Sequence, residues 1–280
     1  MVSGGRQALQ RVASSAARAY NPGPMHPTLA RFLNPTVALD TLARDERGEA
    51  LAPEEQPFAT VARAHPEQRQ ALSKVRGGGA LPPDAQQALI ALAAYAAVEA
   101  LRADGTLGPA VEQARAALEN EGASAAEVDQ FLGTVMLEEA FGGEADPDTY
   151  DPAFLEETLK GVPALARLTR DGVEALTDAF VEPAPDEWKH AYDRASHELL
   201  EAAWSEGPEP INEEHVAQAL EGLAERGGAA HRDKGLEALR RFLEHLAQAE
   251  LLGPRRKARL LEALDEAARG GAAGGRGKPH

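Results

Sequence analysis

Strand-forming residues are too scarce in this chain to build a large β-sheet. Isoleucine occurs only twice in the 280 residues, at Ile90 and Ile211, and aromatic side chains make up 5% of the sequence. β-Branched and aromatic residues are the usual material of strands because they pack well on a pleated, half-buried surface. Alanine supplies much of the apolar content instead, and it has the highest helix propensity. The sequence therefore predicts an all-α protein.

Capping residues, glycines and prolines divide the chain into helical segments. Asn34 precedes Pro35, which is typical of an N-cap followed by the first helical position. Ser124 and Glu127 have the spacing of a capping box, and Asn212 is a further N-cap. Helices are predicted near residues 4–20, 27–33, from 35 onward, 54–64, 66–75, 84–102, 108–120, 124–141, 152–161, 163–180, 186–205, 213–226, 233–252 and 255–269.

The segment 84–102 is apolar nearly all round. A helix that is apolar on every side is a buried one, because no face of it gains from contact with water. We therefore predict that this helix is the centre of the first domain. The apolar positions are Leu89, Ile90, Leu92, Ala93, Ala96, Val98 and Leu101.

The domain organisation follows from where the helical pattern is interrupted. Gly161 and Pro163 break the pattern near the middle of the chain, so a domain boundary is predicted there. We expect two packed multi-helix bundles with a flexible basic N-terminal arm and a Gly-rich disordered C-terminal tail. The predicted divisions are an arm over 1–24, a first helical domain over 25–161, a second over 162–269 and the tail over 270–280.

The charge of the chain is segregated along its length. The formal net charge is −16, while residues 1–39 carry four arginines and no acid and the last eleven residues carry two cations, which leaves about −22 between them. A body of that charge repels phosphate backbones. No nucleic-acid partner is therefore expected.

Cysteine is absent, which excludes disulfides, Cys-ligated metal centres and a cysteine nucleophile. No apolar run reaches the roughly 18 residues that a membrane-spanning helix needs. The N-terminus lacks the apolar core of a secretory signal. The expected location is therefore the cytoplasm.

One predicted helix, 186–205, carries the best candidates for chemistry. His190, Asp193, His197, Glu201 and Trp204 share one face of it. The two histidines are two turns apart, about 10 Å along the axis, so they cannot bind one metal ion together. A solvated polar face is the plainer interpretation, and no metal or other cofactor is expected. Trp204 is the unexplained member and is a candidate for partner contact.

The N-terminal arm has a weak amphipathic pattern. Leu9, Val12 and Tyr20 share one helical face, while Arg11 and Arg18 lie opposite. Three interpretations stay open: the arm folds back on the acidic body, docks on another protein, or lies on a membrane surface. Its low hydrophobicity argues against strong membrane binding. These five residues are therefore candidates for partner binding.

Residues of about 30–160 share several short motifs with a known group of proteins. The chain resembles a family of short helical bacterial proteins classed as a domain of unknown function. In that family the central helix carries two histidines four residues apart, and the matching positions here are Ile90 and Ala94. The resemblance implies a helical fold and a bacterial origin, and it adds no activity. The motifs are Arg31-Phe32-Leu33-Asn34-Pro35, His65-Pro66-Glu67, Val98-Glu99, and Gly143 with Asp146, Pro147 and Tyr150.

These patterns favour a non-enzymatic protein–protein interaction or adaptor protein whose partner is unidentified. One alternative is a helical-bundle metal-binding protein or enzyme that uses His190, His197 and nearby acids. Another is a membrane-peripheral protein that binds through the arm. Self-association is left open by the sequence.

Overall fold

The computed structural model describes residues 26–75, 81–141, 151–205 and 207–274, without the side chains of 139–141, 226–232 and 270–274. Twelve helices and no strand occur in these ranges, which confirms the all-α prediction. In chain order they are α1 (Pro27–Phe32), α2 (Pro35–Glu46), α3 (Gln56–Ala64), α4 (Pro66–Ser73), α5 (Pro83–Arg102), α6 (Gly108–Asn120), α7 (Ala125–Phe141), α8 (Pro152–Ala166), α9 (Arg170–Val181), α10 (Asp186–Trp204), α11 (Glu213–Gln248) and α12 (Pro254–Gly274).

The residue contacts divide the chain into two compact units, Met1–Lys160 and Gly161–His280. The division falls inside α8, next to the interruption that the sequence suggested. That the two units are independent domains stays a prediction. The arm over 1–24 and the end of the tail, 275–280, lie outside the described residues.

The prediction that α8 stops at Gly161 and that Pro163 begins a new helix is wrong. The helix continues to Ala166 with Pro163 inside it, and the next helix begins only at Arg170. A proline inside a helix removes one backbone hydrogen bond and crowds the preceding turn. Here Val162 and Leu165, on either side of the proline, are at most 5% exposed, so burial of this stretch outweighs that local penalty.

In the first unit α5 is the central helix, as predicted. Its apolar residues from Ala88 to Val98 are all at most 6% exposed. Helices α1, α3, α4, α6 and α7 all pack against it. Phe32 of α1 and Phe58 of α3 stack with their ring centroids 4.3 Å apart, which closes the core at one side of α5.

The predicted helix starts in the first unit are confirmed by their capping hydrogen bonds. Asn34 Oδ1 accepts a hydrogen bond from the amide of Thr36 at 3.0 Å. The amide of Ser124 donates to Glu127 Oε2 at 2.8 Å, and the amide of Glu127 donates to Ser124 Oγ at 3.4 Å. The capping box thus satisfies two backbone donors that the first turn leaves unpaired.

In the second unit α10 and α12 both pack on α11, and α9 packs on α10. Phe180 of α9 stacks on Tyr192 of α10 with ring centroids 4.4 Å apart, and it also contacts Phe242 of α11 at 4.9 Å. Leu199 and Phe242 are fully buried in this core. Phe242 forms the inner face of α11 together with Leu239, Leu243 and Leu246.

Helix α11 is continuous from Glu213 to Gln248, where the sequence predicted two helices separated at 226–233. It is nevertheless bent back on itself. A Cβ on Gly235 would lie 3.1 Å from Leu223 Cδ1, although a straight helix would separate these residues by about 18 Å. Arg259, which follows the far end of α11, pairs with Glu213 at 2.5 Å. Residues 213–223 and 235–248 therefore form two arms that lie side by side.

Helix α12 continues to Gly274 and so passes Gly270, where the tail was predicted to begin. Within the described ranges no helix combines the length and the apolar character needed to cross a membrane.

Candidate functional site

Helix α10 carries the predicted candidates, and its packing decides which way they face. Tyr192, Ala195 and Leu199 are buried against the core of the second unit. His190 and His197 are exposed on the other side. Asp193 and Glu201 are exposed there as well, so the face predicted to carry the polar residues does carry them.

The exposed face does not bring together a set of metal ligands. His197 Nε2 and Glu201 Oε2 are 3.4 Å apart, and their side chains are 69% and 57% exposed. An ion pair with this much exposure to solvent contributes at most about 1 kcal/mol to stability. Among the described side chains, no group of three His, Cys, Asp or Glu residues is placed to bind a metal ion.

His190 has a different neighbourhood, because it lines a cavity of about 180 Å³. The cavity lies between α10 and the two arms of α11. Of the four polar candidates on α10, His190 is the one that reaches it. The lining residues are Glu187, His190, Ala191, Arg194, Leu223, Lys234 and Gly235.

Two of the lining residues are cations with unusual surroundings. Arg194 Nη2 is buried and has no hydrogen-bond partner. Lys234 Nζ lies 5.4 Å from the ring centroid of Trp188 and 3.5 Å from the carbonyl oxygen of Glu187. A buried charged donor without an acceptor is destabilising by roughly 1–3 kcal/mol or more. The cavity therefore contains an unsatisfied hydrogen-bond donor.

Trp204 lies in the core rather than on an exposed face, which corrects its placement among the candidates for partner contact. Its side chain is 8% exposed, and its Nε1–H donates to the carbonyl oxygen of Glu209 at 2.8 Å. Helix periodicity put Trp204 beside the exposed histidines because it takes no account of the chain after the helix. The connection after the helix, residues 207–212, holds the indole through the carbonyl oxygen of Glu209, and its Ile211 belongs to the same buried cluster as Trp204. The other candidates, Leu9, Arg11, Val12, Arg18 and Tyr20, lie outside the described residues.

The same connection is anchored by a histidine that the sequence did not single out. The amide of Asn212 donates to His215 Nδ1 at 3.3 Å, and the amide of His215 donates to Asn212 Oδ1 at 3.1 Å. Arg256 of α12 donates to the carbonyl oxygen of Ile211 at 2.9 Å. His215 is 4% exposed, so its role is to begin α11 and fix the connection.

A buried polar cluster in the first unit also escaped the sequence analysis. His65 Nε2 and Asp129 Oδ2 are 2.9 Å apart, and Arg115 Nη1 donates to Asp129 Oδ1 at 2.7 Å. The ring of His65 packs against Tyr95 with centroids 4.8 Å apart. Gly133 makes room for this tyrosine, because a Cβ there would lie 2.5 Å from the Tyr95 ring.

The electrostatics of this cluster follow from its burial. Burial by itself raises the pKa of Asp129, but the hydrogen bonds from His65 and Arg115 and the charge of Arg115 outweigh it and leave that pKa below its ordinary value. Burial and the nearby Asp129 charge raise the pKa of Tyr95 to about 12. His65 is 6% exposed. The cluster ties the start of α4 to α6 and α7 and offers little surface to a substrate.

Helix α9 has a strongly acidic outer face. Asp171, Glu174, Asp178 and Glu182 are all exposed and fall within about 80° of one another around the helix axis. The opposite side, centred on Phe180, packs on the core. From 171 to 188 the chain has six acids and no Lys, Arg or His. We call the four exposed carboxylates the acidic stripe.

Comparison of this chain with known protein families, with curated proteins and with solved structures finds no match. The two positions at which the resembling family carries histidines, Ile90 and Ala94, are 5% and 0% exposed inside the core.

Proposed function

We propose that this chain is a cytoplasmic, non-enzymatic protein-binding protein that takes a basic segment of its partner on the acidic stripe. The observation that carries the proposal is the set of four exposed carboxylates on one face of α9, in a stretch, 171–188, that contains no basic side chain. A partner segment rich in Arg and Lys complements this charge.

Asp171 lies in the first turn of α9, where the macrodipole favours an acid, but the other three members of the acidic stripe do not stabilise the helix. Glu174, Asp178 and Glu182 follow one another at i, i+4 spacing, and like charges at that spacing are destabilising by about 0.2–0.5 kcal/mol per pair. Asp178 and Glu182 also lie at the C-terminal end of the helix, where the macrodipole disfavours negative charge. No basic residue occupies the last turn of α9.

Among the described side chains one cation contacts the acidic stripe, and it offsets little of this repulsion. Arg170 Nε lies 3.5 Å from Glu174 Oε1, with side chains that are 92% and 68% exposed. A cationic segment laid along α9 would relieve the repulsion and form up to four exposed ion pairs. Since each such pair contributes about 0.2–1 kcal/mol, four pairs supply about 0.8–4 kcal/mol, or roughly fourfold to nearly a thousandfold in affinity.

The proposal is tested by fluorescence anisotropy with a labelled peptide of alternating Arg and Ala, long enough to span α9. The stripe variant is D171N/E174Q/D178N/E182Q. The matched control, E221Q/E225Q/E262Q/E266Q, removes four exposed carboxylates from α11 and α12 of the same unit. Both variants change the net charge equally, so a difference between them reports the position of the charges rather than their number.

The stripe variant is expected to weaken peptide binding by at least about fourfold, and the control by less than about twofold. Because residues 1–24 are themselves basic and could compete for the stripe, each measurement is repeated with a chain that lacks them. Equal losses in the two variants, with or without residues 1–24, would show non-specific attraction to an acidic protein and would overturn the proposal.

A further inference from the structure

The cavity beside His190 has features that the acidic stripe does not explain. Its walls come from three segments: α10 supplies Glu187, His190 and Arg194, the first arm of α11 supplies Leu223, and the second arm with the residue before it supplies Gly235 and Lys234. The cavity thus exists because α11 bends back. Gly235 contributes no side chain to its wall, and this lets the two arms approach closely, since a Cβ there would lie 3.1 Å from Leu223 Cδ1.

The charges around the cavity run against the composition of the chain. The protein has 45 acidic and 29 basic residues, so carboxylates that could pair with a basic side chain are in excess. Arg194 nevertheless forms no ion pair with any described residue, and one of its terminal nitrogens is buried without an acceptor. Lys234 contacts a carbonyl oxygen and an indole ring rather than a carboxylate.

We propose that this cavity is a binding site for a phosphate group, held by Arg194 and Lys234 with His190 as a third donor. A guanidinium offers planar paired donors that match two phosphate oxygens, and an ammonium group is a compact point charge that binds a third. Two fixed cations balance a dianion. A carboxylate, with one charge and two oxygens in a plane, uses this arrangement less well.

The size of the cavity sets the size of the ligand. A volume of 180 Å³ lies below the roughly 300–1,000 Å³ of sites that enclose drug-sized molecules. It has room for about ten water-sized positions, which suits a phosphate ion or the phosphate end of a small phosphomonoester. A longer ligand would extend out of the cavity.

Glu187 makes the proposal sharper, because its carboxylate lines the same cavity and opposes a bound anion. Replacing it with glutamine removes that repulsion and should tighten binding. Lys189 is the matched control on the same helix: it pairs with Asp186 at 3.0 Å and does not line the cavity. E187Q removes a negative charge and K189Q removes a positive charge two positions away. Because only Glu187 lines the cavity, E187Q is expected to change phosphate binding more than K189Q does.

The experiment is isothermal titration of the full-length chain with inorganic phosphate at an ionic strength held constant with sodium chloride. Saturable binding is expected. R194Q is expected to weaken it about tenfold or more, since hydrogen bonds to charged groups contribute about 1.5–3 kcal/mol each. K234Q is expected to weaken it about threefold. E187Q is expected to strengthen it by about the same factor, and K189Q to leave it within twofold.

Two further titrants identify the source of the phosphate group. If phenyl phosphate and inorganic phosphate both bind in separate titrations, the site is assigned to phosphomonoesters. If inorganic phosphate binds and phenyl phosphate does not, the site is assigned to the free ion. Sodium acetate should bind at least tenfold more weakly than either. Acetate binding equal to that of phosphate would overturn the proposal.

Three other outcomes overturn it as well: heats no larger than those of matched sodium chloride, an equal loss in K189Q and R194Q, or no gain in E187Q. Because Glu187 is exposed, E187Q keeps the test decisive should R194Q fail to fold. Peptide binding by the acidic stripe is measured separately, so failure of one proposal leaves the other standing.

Discussion

Replacing Asp129 with asparagine is expected to weaken the first unit more than any exposed substitution of the same kind. The side chains of Asp129, Arg115 and His65 are 17%, 14% and 7% exposed. Asparagine keeps the shape of the side chain but removes the negative charge that Arg115 and His65 contact. Arg115 is then left mostly buried without an anion, and removing one partner of a buried pair typically destabilises by about 3–5 kcal/mol.

The expected magnitude is smaller than that figure because the pair retains some contact with water. We expect D129N to lower the free energy of unfolding by about 2–4 kcal/mol at pH 7. The pKa of Asp129 in the folded chain lies below its ordinary value. Its contribution is therefore present above the unfolded pKa of about 3.9 and is lost as the pH falls through the lower folded pKa. The difference between wild type and D129N should shrink at pH 3.

Urea unfolding followed by circular dichroism at 222 nm measures this difference at both pH values. Both tryptophans, Trp188 and Trp204, lie in the second unit, so their fluorescence follows that unit alone. The control is D193N, since Asp193 is exposed on α10 and its loss should change stability by less than about 0.5 kcal/mol. A D129N effect no larger than that of this control at pH 7, or one that is unchanged at pH 3, would refute the reasoning.

Three further predictions concern backbone and tyrosine positions and are measured by the same unfolding assay. G133A should destabilise the first unit by about 1–3 kcal/mol, because its Cβ would lie 2.5 Å from the buried Tyr95 ring. G161A should instead stabilise the chain by up to about 1 kcal/mol, because nothing lies within 4 Å of its Cβ and alanine has the higher helix propensity. E250G should stabilise by about 0.5–1 kcal/mol, since Glu250 ends α11 at a φ of 61°, and a stability loss there would count against strain. Stability should fall by about 2 kcal/mol between pH 10 and pH 12, because the tyrosine ionises at lower pH in the unfolded chain than in the folded one, and Y95F should flatten that slope.

What could be predicted from the sequence is what depends on local pattern. The burial of α5 was predictable because apolar residues surround the helix along the whole of 84–102. The caps at Asn34, Ser124 and Asn212 were predictable because each needs only neighbours two or three positions away. Such features are decided before any tertiary contact forms.

Local rules failed where packing outweighs propensity. Gly161 and Pro163 indicated a helix boundary, yet the buried residues around them hold α8 in one piece. Two separate helices were predicted at 213–226 and 233–252, and α11 is continuous but bent back. In both places the sequence located a weak point in a helix correctly and could not tell whether the helix would end there.

The polar clusters were out of reach because their members are far apart in the chain. His65 and Asp129 are 64 residues apart, and Arg115 and Asp129 are 14 apart, so no spacing rule links them. The cavity that we propose as a phosphate site is of the same kind, since Glu187 and Lys234, which both line it, are 47 residues apart. Its one local hint was the placement of His190 and Arg194 one turn apart on α10.

The acidic stripe differs from these clusters because every part of its signal is local. The sequence shows six acids and no basic residue over 171–188, and four of these acids have the spacing of one helix face. This segment is the acidic counterpart of residues 1–39, which carry arginines and no acid. The acidic stripe did not stand out in the sequence, because each helix of a strongly acidic chain is expected to carry some unpaired acids. A C-terminal carboxylate without a basic residue in the last turn also occurs in α6, at Glu119. What distinguishes α9 is that Glu174, Asp178 and Glu182 follow one another at i, i+4 spacing along one exposed face. Since repulsion along this run disfavours the helix, the run supports our proposal that a basic partner segment binds there.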